Sequence, residues 1–203
     1  INVLIAALQK GGNATSWHEI CNVLGQLSTP EVRRALLQAR DSGSDQKRQY
    51  ASEALRSIYR RSPAIQQIGQ AQQLEQQKKY EEALKLYDVA VQLDPLRPDA
   101  FSGRANLYLK QEKYAEAGPD FQKVLELDPW NSQALTGLCI VMVMHEGKSA
   151  EAIEKLEKER PKFKKEYLFP YNAACVYARV VEHMKSGDKA EEHKEKIDEY
   201  TQQ

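Results

Sequence analysis

The tripeptide Leu93-Asp94-Pro95 returns as Leu127-Asp128-Pro129 one 34-residue step later, and this recurrence narrows the fold more than any other feature of the chain. The same step pairs Ala71 with Ala105, Tyr80 with Tyr114, Ala83 with Ala117, Tyr87 with Phe121 and Val91 with Leu125. Self-similarity at such a period is the signature of a stacked repeat, in which each unit buries its apolar face only against its neighbours. Two helices fill each step. Small residues let their backbones approach, aromatics fill the space between hairpins, and the proline after each aspartate ends the second helix because its ring cannot continue the hydrogen-bond ladder.

With its small, aromatic and proline positions in this order, the chain resembles the tetratricopeptide repeat family from about residue 64 onward. Residues 64–97 match through Ala71, Ala83, Tyr87, Ala90 and Pro95, and residues 98–131 through Phe101, Ala105, Tyr108, Ala117, Phe121 and Pro129. Gly118-Pro119 interrupts the second helix of that repeat, where a kink or a delayed start is expected. A third unit runs from Ser132 with Leu135, Leu138, Cys139 and Met142 on first-helix positions, a turn at Gly147-Lys148, Ala152 on the second-helix alanine position, and an early stop at Pro161. A fourth, atypical unit starts at Tyr167 with Ala174 and Tyr177 in register, carries about four extra residues around Met184–Gly187 before Ala190, and ends in the charged cap Glu191–Gln203.

Residues 1–62 follow a shorter period. Val23-Leu24-x-x-Leu27 lies 31 residues before Ala54-Leu55-x-x-Ile58, and Val3, Ala6, Leu8 and Gln9 return 29 residues on as Val32, Ala35, Leu37 and Gln38. Ser28-Thr29-Pro30-Glu31 joins a hydroxyl cap, a first-turn proline and an acidic residue at a helix start. The segment resembles short HEAT-type repeats, with Leu24-Gly25 closing one helix and Pro30 opening the next; a nonspecific helical bundle is the rival reading. The expected organisation is therefore all-α, a right-handed α-solenoid of antiparallel hairpins, with HEAT-like repeats in residues 1–62 and a tetratricopeptide domain of three to four repeats in residues 63–203. The Arg60-Arg61-Ser62-Pro63 segment forms the joint.

The residues offer little chemistry. His18-Glu19-Ile20-Cys21 lacks the second histidine, four residues on, that a zinc hydrolase helix needs, because position 22 is Asn. No phosphate loop and no nucleophile elbow occur. Catalytic residues, cofactors and metals are accordingly not assigned, and the chain is read as a non-enzyme. With 29 basic and 29 acidic residues, no net field points to nucleic acid or to a membrane surface. The densest basic run, Lys158–Lys165, is diluted by Glu157, Glu159 and Glu166 and reads as a solvated linker. The longest apolar run, Leu138–Met144, falls far short of the roughly 20 residues a bilayer demands. Three cysteines without a pairing pattern read as free thiols and fit a reducing compartment such as the cytoplasm, while the compartment itself stays open. The first residue, Ile1, already lies in a helical pattern, so the chain reads as part of a longer protein.

The resemblance implies function as well as fold. In tetratricopeptide proteins the first helices line a concave face that takes a peptide or a partner helix. Carried over position by position, that face would present Ile68, Gln72, Ser102, Asn106, Leu109, Thr136, Ile140, Val143 and Tyr171. Ile68 and Thr136 stand where family members that clamp acidic chaperone tails carry lysine, so such a clamp is not expected. The expected role is a scaffold binding an uncharged peptide or partner helix, through Asn106 and Gln72 to backbone and through Ile140, Val143 and Tyr171 to side chains. An accessory domain of a larger enzyme and a self-association module are the alternatives.

Overall fold

The structure is a computed structural model that describes residues 1–10, 13–42, 44–163 and 168–186. Eleven α-helices and one 3-10 turn, with no strand, make up the regular structure among these residues. The chain divides into two compact units, residues 1–100 and 101–203, each described separately below. The hairpin formed by residues 65–93 thus shares a unit with the N-terminal helices, and the units divide later than the boundary expected at residues 62 and 63.

The first unit contains α1 (Asn2–Lys10), α2 (Ala14–Leu24), α3 (Pro30–Ser42), α4 (Asp45–Arg60), α5 (Ile65–Gln76) and α6 (Tyr80–Leu93). Its helix starts follow from local chemistry. Asn13 accepts the Ser16 amide at 2.9 Å to open α2, and Thr29 Oγ1 faces the Val32 amide at 3.4 Å ahead of Pro30, the first residue of α3. Helices pack in succession, α1 with α2, α3 with α4 and α5 with α6, and α1 to α4 enclose a core that includes Leu8, Leu24, Val32, Leu36, Leu55 and Ile58. The 29-residue recurrence is physical: Gln9 Nε2 donates to Gln38 Oε1, its repeat equivalent, at 3.3 Å.

A buried polar cluster ties α3 and α4 to the end of α6. Asp94 accepts from Ser62 Oγ at 2.6 Å and pairs with Arg33 Nη2 at 3.3 Å, the two charged side chains being 7% and 9% exposed. Arg33 Nη1 donates to the Leu96 carbonyl at 2.9 Å, and Arg97 donates to the Tyr59 carbonyl and clasps Asp99 through two nitrogens. Both guanidinium groups also lie over the Tyr59 ring, at 5.6 and 5.1 Å. Elsewhere in this unit, Lys47 lies over the Trp17 ring at 5.6 Å.

The second unit holds most of α7 (Pro98–Lys110), then α8 (Tyr114–Leu127), α9 (Ser132–Met144), α10 (Ser149–Glu159), the 3-10 turn Arg160–Phe163 and α11 (Phe169–Ser186). Helix α9 is central and packs against α8, α10 and α11. Burial on all sides explains why its sequence is apolar on all sides. Arg104 of α7 holds Asp120 of α8 in a two-pronged pair with both contacts at 2.7 Å. Phe121 lies directly over Gly137: a Cβ built there would come within 2.4 Å of the ring. Lys162, after α10, lies 5.8 Å above the Trp130 ring.

Each second helix that ends in Asp-Pro closes in the same way. The Asp94 and Asp128 side chains accept the amides of Leu96 and Trp130, both at 3.2 Å, while their carbonyls accept those of Arg97 and Asn131, both at 3.1 Å. The turns inside the hairpins also repeat. The Lys79 amide bonds the Leu74 carbonyl and that of Lys113 the Tyr108 carbonyl, both at 2.9 Å, closing a Schellman motif in each case. That motif places Lys78 and Glu112 at φ of 60° and 56°, whereas the third hairpin carries Gly147 at φ 67°.

Two sequence expectations need correction. No delayed start follows from Gly118-Pro119, since α8 begins at Tyr114 and runs through Pro119. The proline removes only the bond to the carbonyl of Ala115, an exposed residue that water can serve. In the fourth repeat the buried alanine is Ala173, and Ala174 is exposed, so the register lies one residue earlier than expected, although Tyr177 is buried as anticipated. Pro161 does end α10 early, and a 3-10 turn follows it. Met184 is a buried residue of α11. Tyr167, Gly187, Ala190 and the cap Glu191–Gln203 lie outside the described residues.

Three substitutions test this packing. Gly137→Ala should destabilise by about 2 kcal/mol or more because the Phe121 ring must move, whereas Glu112→Gly should add up to about 1 kcal/mol by removing left-handed strain; denaturant midpoints should move in opposite directions. Asp94→Ala should cost about 3 kcal/mol or more by leaving Arg33 buried without its counter-charge. An unchanged midpoint in that variant would show the cluster to be dispensable.

Candidate functional site

The nine expected groove positions divide between the two units and differ in burial. Ile68 and Gln72 lie on α5 of the first unit, Ile68 buried and Gln72 exposed. In the second unit Thr136 is buried, and its hydroxyl donates to the Ser132 and Gln133 carbonyls at 3.1 Å. Val143 is fully buried in the core with Ala152, Leu156 and Val176. The interior occupies the side chains of Ile68, Thr136 and Val143, and a partner touching the surface does not reach them.

What stays at the surface of the second unit is a smaller set. Ser102, Asn106 and Leu109 are half-buried and share one face of α7 at spacings of four and three residues. The Asn106 side chain makes no hydrogen bond to another described residue. Ile140 of α9 is half-buried against the core, and Tyr171 of α11 is 71% exposed. One helical step from Tyr171 stand the 58% exposed Leu168 and the half-buried Cys175, so this face of α11 shows apolar and thiol groups to solvent. Leu168 and Cys175 occupy groove positions in the repeat pattern and were legible from it.

The charged groups nearby are engaged within the chain. Arg160 donates to Glu157 and to the Tyr177 hydroxyl, which itself donates to Glu157. Burial, followed by the Glu157 hydrogen bond, pushes the Tyr177 phenol up to about 12. Lys162 pairs with Glu159, so Arg160 and Lys162 of the basic run are both taken up by acidic neighbours. Burial raises the Cys21 thiol to about 11 and the Cys139 thiol to about 12, keeping both as inert thiols at neutral pH. Cys139 Sγ faces the Ala152 carbonyl at 3.5 Å. Among the described residues no cluster of histidine, cysteine, aspartate or glutamate could hold a metal ion, and no helix is long and apolar enough to cross a membrane.

Comparison with known proteins agrees with this geometry. A tetratricopeptide repeat model matches residues 98–131, and a TPR repeat model matches residues 71–112. Residues 71–131 of the chain therefore belong to the tetratricopeptide repeat family, a class of protein-interaction folds. The structure of yeast Tom70 is similar in fold at 19% identity and a TM-score of 0.52, over 93% of this chain and 44% of that one. YrrB, described as a TPR protein with an unusual peptide-binding site, aligns at 20% identity over 85% of this chain and 84% of its own, with a TM-score of 0.48. The first TPR of Spaghetti (RPAP3), bound to the HSP90 peptide SRMEEVD, aligns at 22% identity over 69% and 94%, with a TM-score of 0.41. Curated protein sequences give no match.

The raised thiol and phenol values fix a pH dependence. Between pH 9, the ordinary thiol value, and about 12, the unfolded chain releases protons that folded Cys21 and Cys139 retain, so their contribution is complete below pH 9 and fades as pH rises toward 12. Tyr177 acts in the same direction from its ordinary value of 10. Melting temperature should fall from pH 9 upward, and less steeply in a Cys21→Ala/Cys139→Ala variant. At pH 7.5 a thiol reagent should modify Cys175 rapidly and the other two only in denaturant; rapid modification of all three would contradict the described burial.

Proposed function

We propose that the chain is a protein-interaction scaffold that docks an uncharged peptide or partner helix on the first helices of its second unit. The observation that carries the reading is the row Ser102, Asn106 and Leu109 on α7, where the Asn106 amide has no hydrogen-bond partner among the described residues. An amide in that position can bond a peptide backbone, and Leu109, Ile140 and the exposed Tyr171 ring supply apolar contact. A rigid aromatic of this kind is the usual anchor of an interface. Burial of Ile68 and Thr136, at the places where lysine would grip an acidic tail, supports an uncharged partner over a carboxylate-rich one.

The test is binding of the purified chain to a peptide array, repeated with Asn106→Ala and Tyr171→Ala. Selective binding is expected, weakened about tenfold in each variant with circular dichroism unchanged. Binding indifferent to both substitutions, or none at all, would remove the docking face and leave a structural spacer.

A further inference from the structure

The first unit holds a cleft between α2 and α4 that the reading above does not use. It encloses about 90 Å³ and is lined by His18, Asn22, Tyr50, Glu53 and Ser57, with Cys21 at its buried floor. The His18 and Tyr50 rings meet at 5.0 Å with a 51° tilt. Glu53 is the one formally charged residue in the lining. It accepts a single hydrogen bond, from Gln49 Nε2 at 3.1 Å, and has no ionic partner among the described residues.

We propose that this cleft receives an arginine side chain of a partner protein. The chain's own architecture shows the chemistry at work. Arg97 is held by an aromatic ring, Tyr59, together with a carboxylate, Asp99, and a carbonyl oxygen. The cleft assembles the same kinds of group: the Tyr50 and His18 rings, the Glu53 carboxylate, and the oxygens of Asn22 and Ser57. At its edge the Arg61 guanidinium already bonds Ser57 Oγ at 2.8 Å and the Gly25 carbonyl, so planar donors fit this surface. A planar guanidinium with five donors uses several acceptors and a ring face at once, whereas the compact ammonium of lysine uses fewer. An anionic group would face the Glu53 carboxylate, and a purely aliphatic one would cover it without supplying a counter-charge. The raised Cys21 thiol contributes an apolar floor and no nucleophile. This site is independent of the α7–α11 docking face.

The probe is the blocked tripeptide acetyl-Gly-Arg-Gly-amide, titrated against the isotope-labelled chain by NMR, with the lysine and glutamate counterparts as comparators. Saturable shifts confined to α2 and α4 are expected, with roughly millimolar affinity. Lysine should bind about fivefold more weakly, and the exposed Glu53→Gln change should weaken the arginine peptide by about the same factor. Tyr50→Leu should weaken it without moving the melting temperature by more than a few degrees. Absence of shifts, equal response to the glutamate peptide, or arginine binding indifferent to Glu53→Gln would overturn the proposal. Loss of the docking face described earlier would leave this result untouched.

Discussion

A buried carboxylate at the end of a helix sets the terms for the rest of this protein. Asp94 and Asp128 leave helical geometry one residue before a proline that cannot donate, and their side chains take up the amides which the turning backbone would otherwise bury unpaired. The same atoms thus end one helix and align the start of the next. In the first unit the carboxylate does more, because Ser62 and Arg33 converge on Asp94 and join helices of two different periods to one point. Removing such a charge costs more than the pair itself contributes, since the survivor stays out of water.

Packing then decides which side chains remain for a partner. On α9 nearly every direction leads into protein, so Thr136 satisfies its hydroxyl within its own helix and Val143 joins the core. On α7 the Ser102, Asn106 and Leu109 face keeps contact with solvent, and on α11 Tyr171 projects almost wholly into it. The repeats share a backbone plan but not a surface. The positions expected from the family pattern are therefore thinned by local burial, and those left accessible in the second unit carry amide, hydroxyl, aliphatic and aromatic groups.

The helices and their breaks were legible because the backbone imposes residue types at those places. Proline after aspartate, Thr29 at a helix start, and the alanines that permit close approach all announce themselves locally. Other features depend on atoms far along the chain. Gly137 is needed because Phe121, from the preceding repeat, lies on it, and no local rule reveals that. The slip from Ala174 to Ala173 follows the early stop at Pro161 and the 3-10 turn behind it, whose length a 34-residue template does not give. For the groove, repeat position fixes the direction of a Cβ but not what covers it, which is why Ile68, Thr136 and Val143 were chosen alongside residues that reach the surface. The hairpin turns hid in the opposite way: Lys78 and Glu112 hold a conformation that glycine usually marks.

The two tryptophans fall one in each compact unit, Trp17 in the first and Trp130 in the second, and each has a lysine ammonium over its ring. Both lysines come from a different helix or turn than the ring they cover, so the contact exists only while the local fold persists. Intrinsic fluorescence is therefore divided spatially by the sequence itself. A chain retaining Trp17 alone gives the optical history of one half, a chain retaining Trp130 alone that of the other, and their superposition or separation along a denaturant axis measures how far cooperativity extends through the array.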